Sequence, residues 1–355
     1  NRFVYFKKGE QILRFILTQH SSISHGAFQP GGVVAGVIKY SIDEPTEFTK
    51  ITVSLKGQGY LRITDRTRRR RGGRSVYRAS ETYVDDDVTQ EGDGKETPIG
   101  TYEINFNFSL PRNIPSSLQL SKFITRYLIR CNIGYYVRIK FERRGWFSFA
   151  KHFKKDITVA SGITPRLPKE PVIYGHQKKL TQLFSSRTSI VNIKASMLTS
   201  VIDPGDKIKL EYEVFNDTNI EIKSVETKLV EEYTFLPVGH TDIKAHEDIP
   251  NTDGKTGTIA CGMTQVMPLE INPPSALFSL ENSEIVKREY LVSITVELPM
   301  PHRNAVLMIP VQIGHEEREA QVASDDLPPS YWEAMGEGKK ESGSDDEDAE
   351  EDEKS

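Results

Sequence analysis

Tyr102-Glu103-Ile104-Asn105-Phe106-Asn107-Phe108-Ser109-Leu110 alternates apolar and polar side chains and stops at Pro111. A period of two marks a strand with one face buried and the other wet; a helix needs a period near 3.6. The pattern recurs on both sides of this stretch. Val33-Val34-Ala35-Gly36-Val37-Ile38-Lys39-Tyr40 follows the turn Gln29-Pro30-Gly31-Gly32. Ile51-Thr52-Val53-Ser54-Leu55-Lys56-Gly57 alternates, and so do residues 135–141. Strands at such intervals, separated by Gly, Pro and Asp turns, specify an antiparallel sandwich. Long helical periodicity is absent, and residues 116–125 are the best helix candidate.

Near residue 160 the pattern stops. Gly162, Pro165, Pro168, Pro171 and Gly175 give the next stretch a linker composition. Strand patterning returns at 189–198, 207–215, 223–235, 287–298 and 305–313. The second half repeats the logic of the first. Pro204-Gly205-Asp206 precedes Lys207-Ile208-Lys209-Leu210-Glu211-Tyr212-Glu213-Val214, as Pro30-Gly31-Gly32 precedes Val33. The expected fold is all-β, with two tandem antiparallel immunoglobulin-like β-sandwiches. They are placed at 1–160 and 186–315, with a linker at 161–185 and an acidic tail at 316–355.

Charge separates the tail from the body. Residues 316–355 hold 16 acidic and 4 basic side chains, a net of −12, so a whole-chain charge of −4 leaves the body at about +8. Such a segment cannot bury enough apolar surface to offset its ordering entropy, so disorder is expected there. Cys131 and Cys261 stand far apart without a CxxC partner, and no apolar signal segment or long hydrophobic run is present. A cytoplasmic protein is therefore expected. HExxH, GxSxG, Walker A and Cys/His metal spacings are missing, so the expectation is a non-enzyme with no metal and no cofactor.

The sharpest motif is Pro328-Pro329-Ser330-Tyr331. Two prolines pre-set polyproline II geometry, which WW domains accept in aromatic-lined grooves, and the tyrosine gives a second anchor. Pro328, Pro329 and Tyr331 are thus the expected partner-binding residues. Ser342 and Ser344 precede a nearly all-acidic run and are candidate phosphorylation sites, beside the plainer reading of a solvated tail. Arg68, Arg69, Arg70 and Arg71 form a basic run that reads either as a solvated hairpin tip or as a contact to anionic lipid or phosphate. Lys151, Lys154 and Lys155 belong to a second basic stretch with the same two readings, near Trp146, Phe147 and Phe149. No aromatic interleaving or nucleic-acid fold motif accompanies the arginine run, and no nucleic acid is expected. Leu277-Phe278-Ser279-Leu280-Glu281 matches a clathrin-box pattern but lies inside the second domain, which favours a buried segment.

Several strings taken in order resemble the arrestin superfamily, and within it the α-arrestins. In the first domain they are Phe28-Gln29-Pro30-Gly31-Gly32-Val33-Val34-Ala35-Gly36-Val37, Val53-Ser54-Leu55-Lys56-Gly57 and Leu110-Pro111-Arg112-Asn113-Ile114-Pro115-Ser116-Ser117. In the second they are Val201-Ile202-Asp203-Pro204-Gly205-Asp206-Lys207-Ile208 and the closing Leu307-Met308-Ile309-Pro310-Val311-Gln312-Ile313-Gly314. The chain departs from the α-arrestin pattern at Ser117, where phenylalanine is usual, and in carrying one PPxY motif rather than two. The resemblance implies a trafficking adaptor, peripheral at the plasma membrane or endosomes, that joins membrane-protein cargo, a receptor or transporter, to a HECT-type E3 ubiquitin ligase through its WW domains. The alternative it leaves open is a signalling scaffold whose PPSY motif controls its own turnover.

Overall fold

The computed structural model describes residues 13–18, 26–67, 75–143, 151–180 and 189–316. Among them there is no helix. The first half contributes β1 (Leu13–Thr18), β2 (Val33–Ile42), β3 (Thr46–Asp65), β4 (Val76–Glu91), β5 (Glu96–Thr97), β6 (Gly100–Ser109), β7 (Leu118–Ile124), β8 (Tyr127–Arg143) and β9 (Lys151–Ile157). The second contributes β10 (Val172–Leu180), β11 (Ser189–Met197), β12 (Val201–Ile202), β13 (Ile208–Asp217), β14 (Ser224–Phe235), β15 (Ile243–Asp248), β16 (Gly254–Lys255), β17 (Thr264–Ile271), β18 (Val286–Glu297) and β19 (Ala305–Ile313). The expected all-β fold of two tandem sandwiches is what the chain adopts.

In the first sandwich a three-stranded sheet, β1-β2-β6, faces a six-stranded one ordered β4-β3-β8-β7 with β5 and β9 beside it. In the second, β10-β11-β13-β17 faces β12-β19-β18-β14-β15, with β16 on β14. Every pairing between these strands is antiparallel except the short β12–β19 contact, and isolated parallel bridges join Phe28 to Val159 and Ile163 to Glu316. Alternation drives the layering. On β2, Val34, Ile38 and Ile42 are buried, and on β8 Ile129, Cys131, Ile133, Tyr135, Val137 and Ile139 are buried while their neighbours look outward. Each such aliphatic side chain contributes about 1.5–3 kcal/mol by leaving water.

The two sandwiches share apolar packing. Tyr233, Phe235, Ile243, Leu280, Ile285 and Val286 of the second half belong to the core cluster of the first. Gly59 permits this approach, since a Cβ there would lie 2.8 Å from Ile285 Cδ1. Polar contacts border the seam. The Tyr83 hydroxyl lies 3.1 Å from Ser283 Oγ, and the Glu284 amide donates to Glu81 Oε2 at 2.9 Å. Lys122 pairs with Glu231 and Glu247 and stands 4.2 Å from the Tyr233 ring centroid.

Two expectations differ from the structure. The helix candidate at 116–125 contains β7, whose seven residues pair in register with β8. Its alternation of Leu118, Leu120, Lys122 and Ile124 fits a sheet face, and tertiary pairing overrides the weak helical signal. The stretch expected as linker contains β10, which pairs along its whole length with β11. Gly175 suits it because β10 is an edge strand, where a missing side chain costs little packing. Ahead of it, Gln312 fixes the backbone, with Nε2 donating to Thr164 O at 2.8 Å and Oε1 accepting from the Arg166 amide at 2.9 Å. The chain from 317 onward lies outside the described residues.

Candidate interaction surfaces

Strand β3 runs through the middle of the six-stranded sheet, so its register sets what the outer face of the first sandwich displays. Its odd residues Val53, Leu55, Leu61 and Ile63 point into the core. Its even residues face outward with the even residues of β8: Ser54 opposite Arg138, Lys56 opposite Tyr136, and Arg62 opposite Arg130. On the other flank the β3–β4 pairing shifts register at Gly57/Gln58. One extra residue, Tyr83, is accommodated there, as a β-bulge requires. Beyond the bulge the outward positions of β4 change parity. Asp85 and Asp87 stand opposite Lys56 and Ser54, whereas Arg78 stands opposite Arg62.

At one end of this face the charges are paired or hydrogen-bonded. Lys56 is buried and pairs with Asp85 and with Asp87 at 2.8 Å. Burial alone would lower the Lys56 ammonium, but its bonds to Asp85 and Asp87 outweigh that and hold it above the ordinary lysine value. Burial likewise works to raise Asp87; the bonds from Lys56 and Ser54 prevail and leave its carboxyl below the ordinary range. Arg138 reaches Ser54 Oγ at 3.4 Å, Lys140 pairs with Glu142 at 2.6 Å, and Lys154 with Asp156 at 3.3 Å.

The other end is different. Arg78, Arg62 and Arg130 lie directly across from one another on three successive strands. None of the three has an ion-pair or side-chain hydrogen-bond partner among the described residues. Arg62, Thr64, Leu128 and Arg130 line a surface depression of about 190 Å³. Phe123, opposite Leu128 in the register, is 58% exposed, with the Arg66 guanidinium 5.4 Å from its ring centroid. Sequence reading missed this row because its members are far apart in the chain and match no motif; only register joins them.

The residues singled out from sequence fall in several places. Pro328, Pro329, Tyr331, Ser342, Ser344 and Arg68, Arg69, Arg70 and Arg71 lie outside the described residues. Lys151, Lys154 and Lys155 are on β9, and strand alternation divides them. Lys154 is on the outward face opposite Arg138, over the Tyr136 ring at 5.2 Å, while Lys151 and Lys155 take the parity of Ile157. The clathrin-box string is held inside the second domain. Leu280 and Ser279 are buried, and Ser279 exchanges bonds with Ile313, its amide donating to Ile313 O at 2.7 Å and its Oγ accepting from Ile313 N at 3.0 Å. No group of three or more His, Cys, Asp or Glu residues with metal-binding geometry occurs among the described residues. No helix there is long and apolar enough to cross a membrane.

Two tandem sandwiches joined by a shared apolar seam make up the described residues. The family model described as Arrestin (or S-antigen), N-terminal domain, matches residues 19–164, and that described as Arrestin (or S-antigen), C-terminal domain, matches residues 187–318. Together they span most of the chain, which belongs to the arrestin superfamily. Comparison with curated proteins gives no match. Proteins of this family are in general non-enzymatic adaptors, and a trafficking or signalling adaptor role follows for this chain.

Proposed function

We propose that this chain is a non-enzymatic trafficking adaptor of the α-arrestin branch. The sandwiches engage membrane-protein cargo, a receptor or transporter, and the segment at 316–355 brings a WW-domain HECT-type E3 ubiquitin ligase to it through Pro328, Pro329 and Tyr331. Cargo lysines are then modified and the cargo is internalised or sorted. The observation that carries the reading is the PPSY string in an acidic segment that follows two arrestin domains. Tethering makes the encounter of ligase and cargo intramolecular, so a modest WW affinity suffices through effective concentration. The protein works in the cytoplasm, peripheral at the plasma membrane or endosomes.

Tyr331→Ala removes the second anchor of the WW ligand. Pulldown by a WW-domain ligase is expected to fall at least about tenfold, in keeping with the loss of one anchoring side chain from a short ligand. Undiminished capture of the variant would defeat the proposal. Reduced self-ubiquitination with unchanged cargo ubiquitination would instead favour the scaffold whose PPSY motif governs its own turnover.

A further inference from the structure

The two sandwiches close their edges differently. In the second, four strands face five in line, and Met267 and Ile271 on the edge strand β17 are buried. In the first, only three strands, β1-β2-β6, face the four in line β4-β3-β8-β7. No described strand pairs with the far side of β6, so the inner face of β4 lacks a covering strand. The register identifies that face. Asp86, Val88 and Gln90 stand across from Leu55, Val53 and Ile51, which turn to the core. Val88 is nonetheless 51% exposed, and Ile104 on β6 is only half-buried. With Ile51 and Val53 they line an open cavity of about 260 Å³ between the two edge strands. Such a volume admits apolar side chains, since a cavity of about 150 Å³ holds a benzene-sized group. The backbone is open at the same place. Leu110 N donates to Gly32 O at 2.8 Å, and the antiparallel register runs on from there. Ile104, Phe106 and Phe108 therefore bond to β2, while Glu103, Asn105 and Asn107 turn their N–H and C=O groups to the free edge. Such a row is a template for a further strand. Asp86 adds a charge. It lies on the inner face two residues from Val88, with no ion-pair or hydrogen-bond partner among the described residues.

We infer that the edge between β4 and β6 is a docking site for an extended peptide that adds to β6 as a fourth strand. Its apolar side chains cover Val88 and Ile104, and a lysine or arginine meets Asp86. In strand addition the main-chain bonds give affinity and alternate side chains give specificity. Adjacent strands lie about 4.8 Å apart and packed sheets about 10 Å apart, so a strand beside β6 comes to rest over the inner face of β4. Guest residues paired with Glu103, Asn105 and Asn107 turn outward, as those side chains do, and every second guest side chain enters the cavity. The guest therefore alternates, with a basic inward residue two positions from an apolar one. Cytoplasmic segments beside membrane spans are rich in Lys and Arg, so this chemistry fits a cytoplasmic segment of a membrane-protein cargo. For that source the inference rests on the proposed function; the docking site itself stands on the edge geometry.

The test is fluorescence anisotropy with the purified full chain and a labelled heptapeptide, Lys-Thr-Val-Thr-Val-Thr-Lys, whose inward set is the same in either strand direction. Wild type is expected to bind it about tenfold tighter than Lys-Pro-Val-Pro-Val-Pro-Lys, which lacks the N–H groups that a strand needs. Exchanging both lysines for glutamate is expected to weaken binding about threefold. Asn105→Pro removes an N–H at the middle of the free edge and spares the β2–β6 bonds. It is expected to lower affinity about tenfold with an unchanged unfolding midpoint. Val88→Lys, at a position already half exposed, is expected to act in the same way by placing a cation over the cavity. Hydrogen exchange at the Glu103, Asn105 and Asn107 amides is expected to slow when the peptide binds. Equal affinity for the proline peptide overturns the inference, as does full binding by either variant. So does binding that appears only after residues 1–12 are removed, which makes the chain's own Arg2-Phe3-Val4-Tyr5-Phe6-Lys7-Lys8 the occupant. Failure here leaves the Tyr331→Ala pulldown untouched, and undiminished ligase capture beside intact peptide binding defeats the adaptor reading alone.

Discussion

The two ends of the outer face of β3 treat charge in opposite ways. Around Lys56, an ammonium that has left most of its water is surrounded by Asp85, Asp87 and the Ser54–Arg138 contact. Around Arg62, three arginines stand opposite one another in the register with no ion-pair partner among the described residues. Both ends belong to one strand, one sheet and one face, so fold alone does not account for the difference. Desolvation does. A buried ammonium is costly unless paired, whereas exposed guanidiniums such as Arg78 and Arg130 keep enough water to tolerate one another. The paired end reads as structure, and the open end leaves the charges of Arg78 and Arg130 exposed to solvent.

The largest expected effect comes from reversing the charge at the paired end. Lys56→Glu sets a third carboxylate beside Asp85 and Asp87 and is expected to cost about 2–4 kcal/mol, measured by urea unfolding. Lys56→Met removes the pair but fills much of the space. Because Asp85 and Asp87 are each about half exposed, with side chains 55% and 47% accessible, the loss is discounted for solvent to about 1–2 kcal/mol. Comparable stability of Lys56→Glu and Lys56→Met would show that the pairing matters little.

Acid sharpens the same contrast. Asp87 is depressed in the folded state, so its contribution is present above the unfolded carboxylate value of about 3.9 and is lost as pH falls through its lower folded value. Lys56 is raised, so its contribution is present below the unfolded lysine value of about 10.4 and is lost as pH rises through its higher folded value. The stability gap between wild type and Lys56→Met is therefore expected to hold across neutral pH and to close below about pH 3. A gap that stays constant into acid contradicts the assignment. The smallest effect belongs to the open end. Arg62→Gln is expected to stabilise the chain by about 0.2–1 kcal/mol, the range for removing directly opposed like charges, with a higher unfolding midpoint as the readout.

Much of the architecture could be read from alternation. The stretches at 33–40, 102–110, 189–198, 223–235 and 305–313 correspond closely to β2, β6, β11, β14 and β19. In β2, β6, β11 and β19 exposure alternates with a period of two because one face packs on the opposite sheet, whereas β14 is buried along most of its length. Strand β4 escaped because the bulge at Tyr83 changes its parity midway, so Ala79 and Val84 are both buried while Asp85 and Asp87 face out. Strand β10 escaped because as an edge strand it buries little, which leaves its composition close to that of a linker. The arginine row was illegible for a deeper reason. Arg62, Arg78 and Arg130 come from three strands, and their neighbourhood exists only in the register, which no local pattern encodes. The clathrin-box string shows the converse, a recognisable motif whose Ser279 and Leu280 are committed to the interior.

The most direct measurement is urea unfolding of the intact chain carrying either Lys56→Met or Arg62→Gln. The account predicts that the first lowers the unfolding midpoint and the second does not. An equal fall in both variants would contradict it.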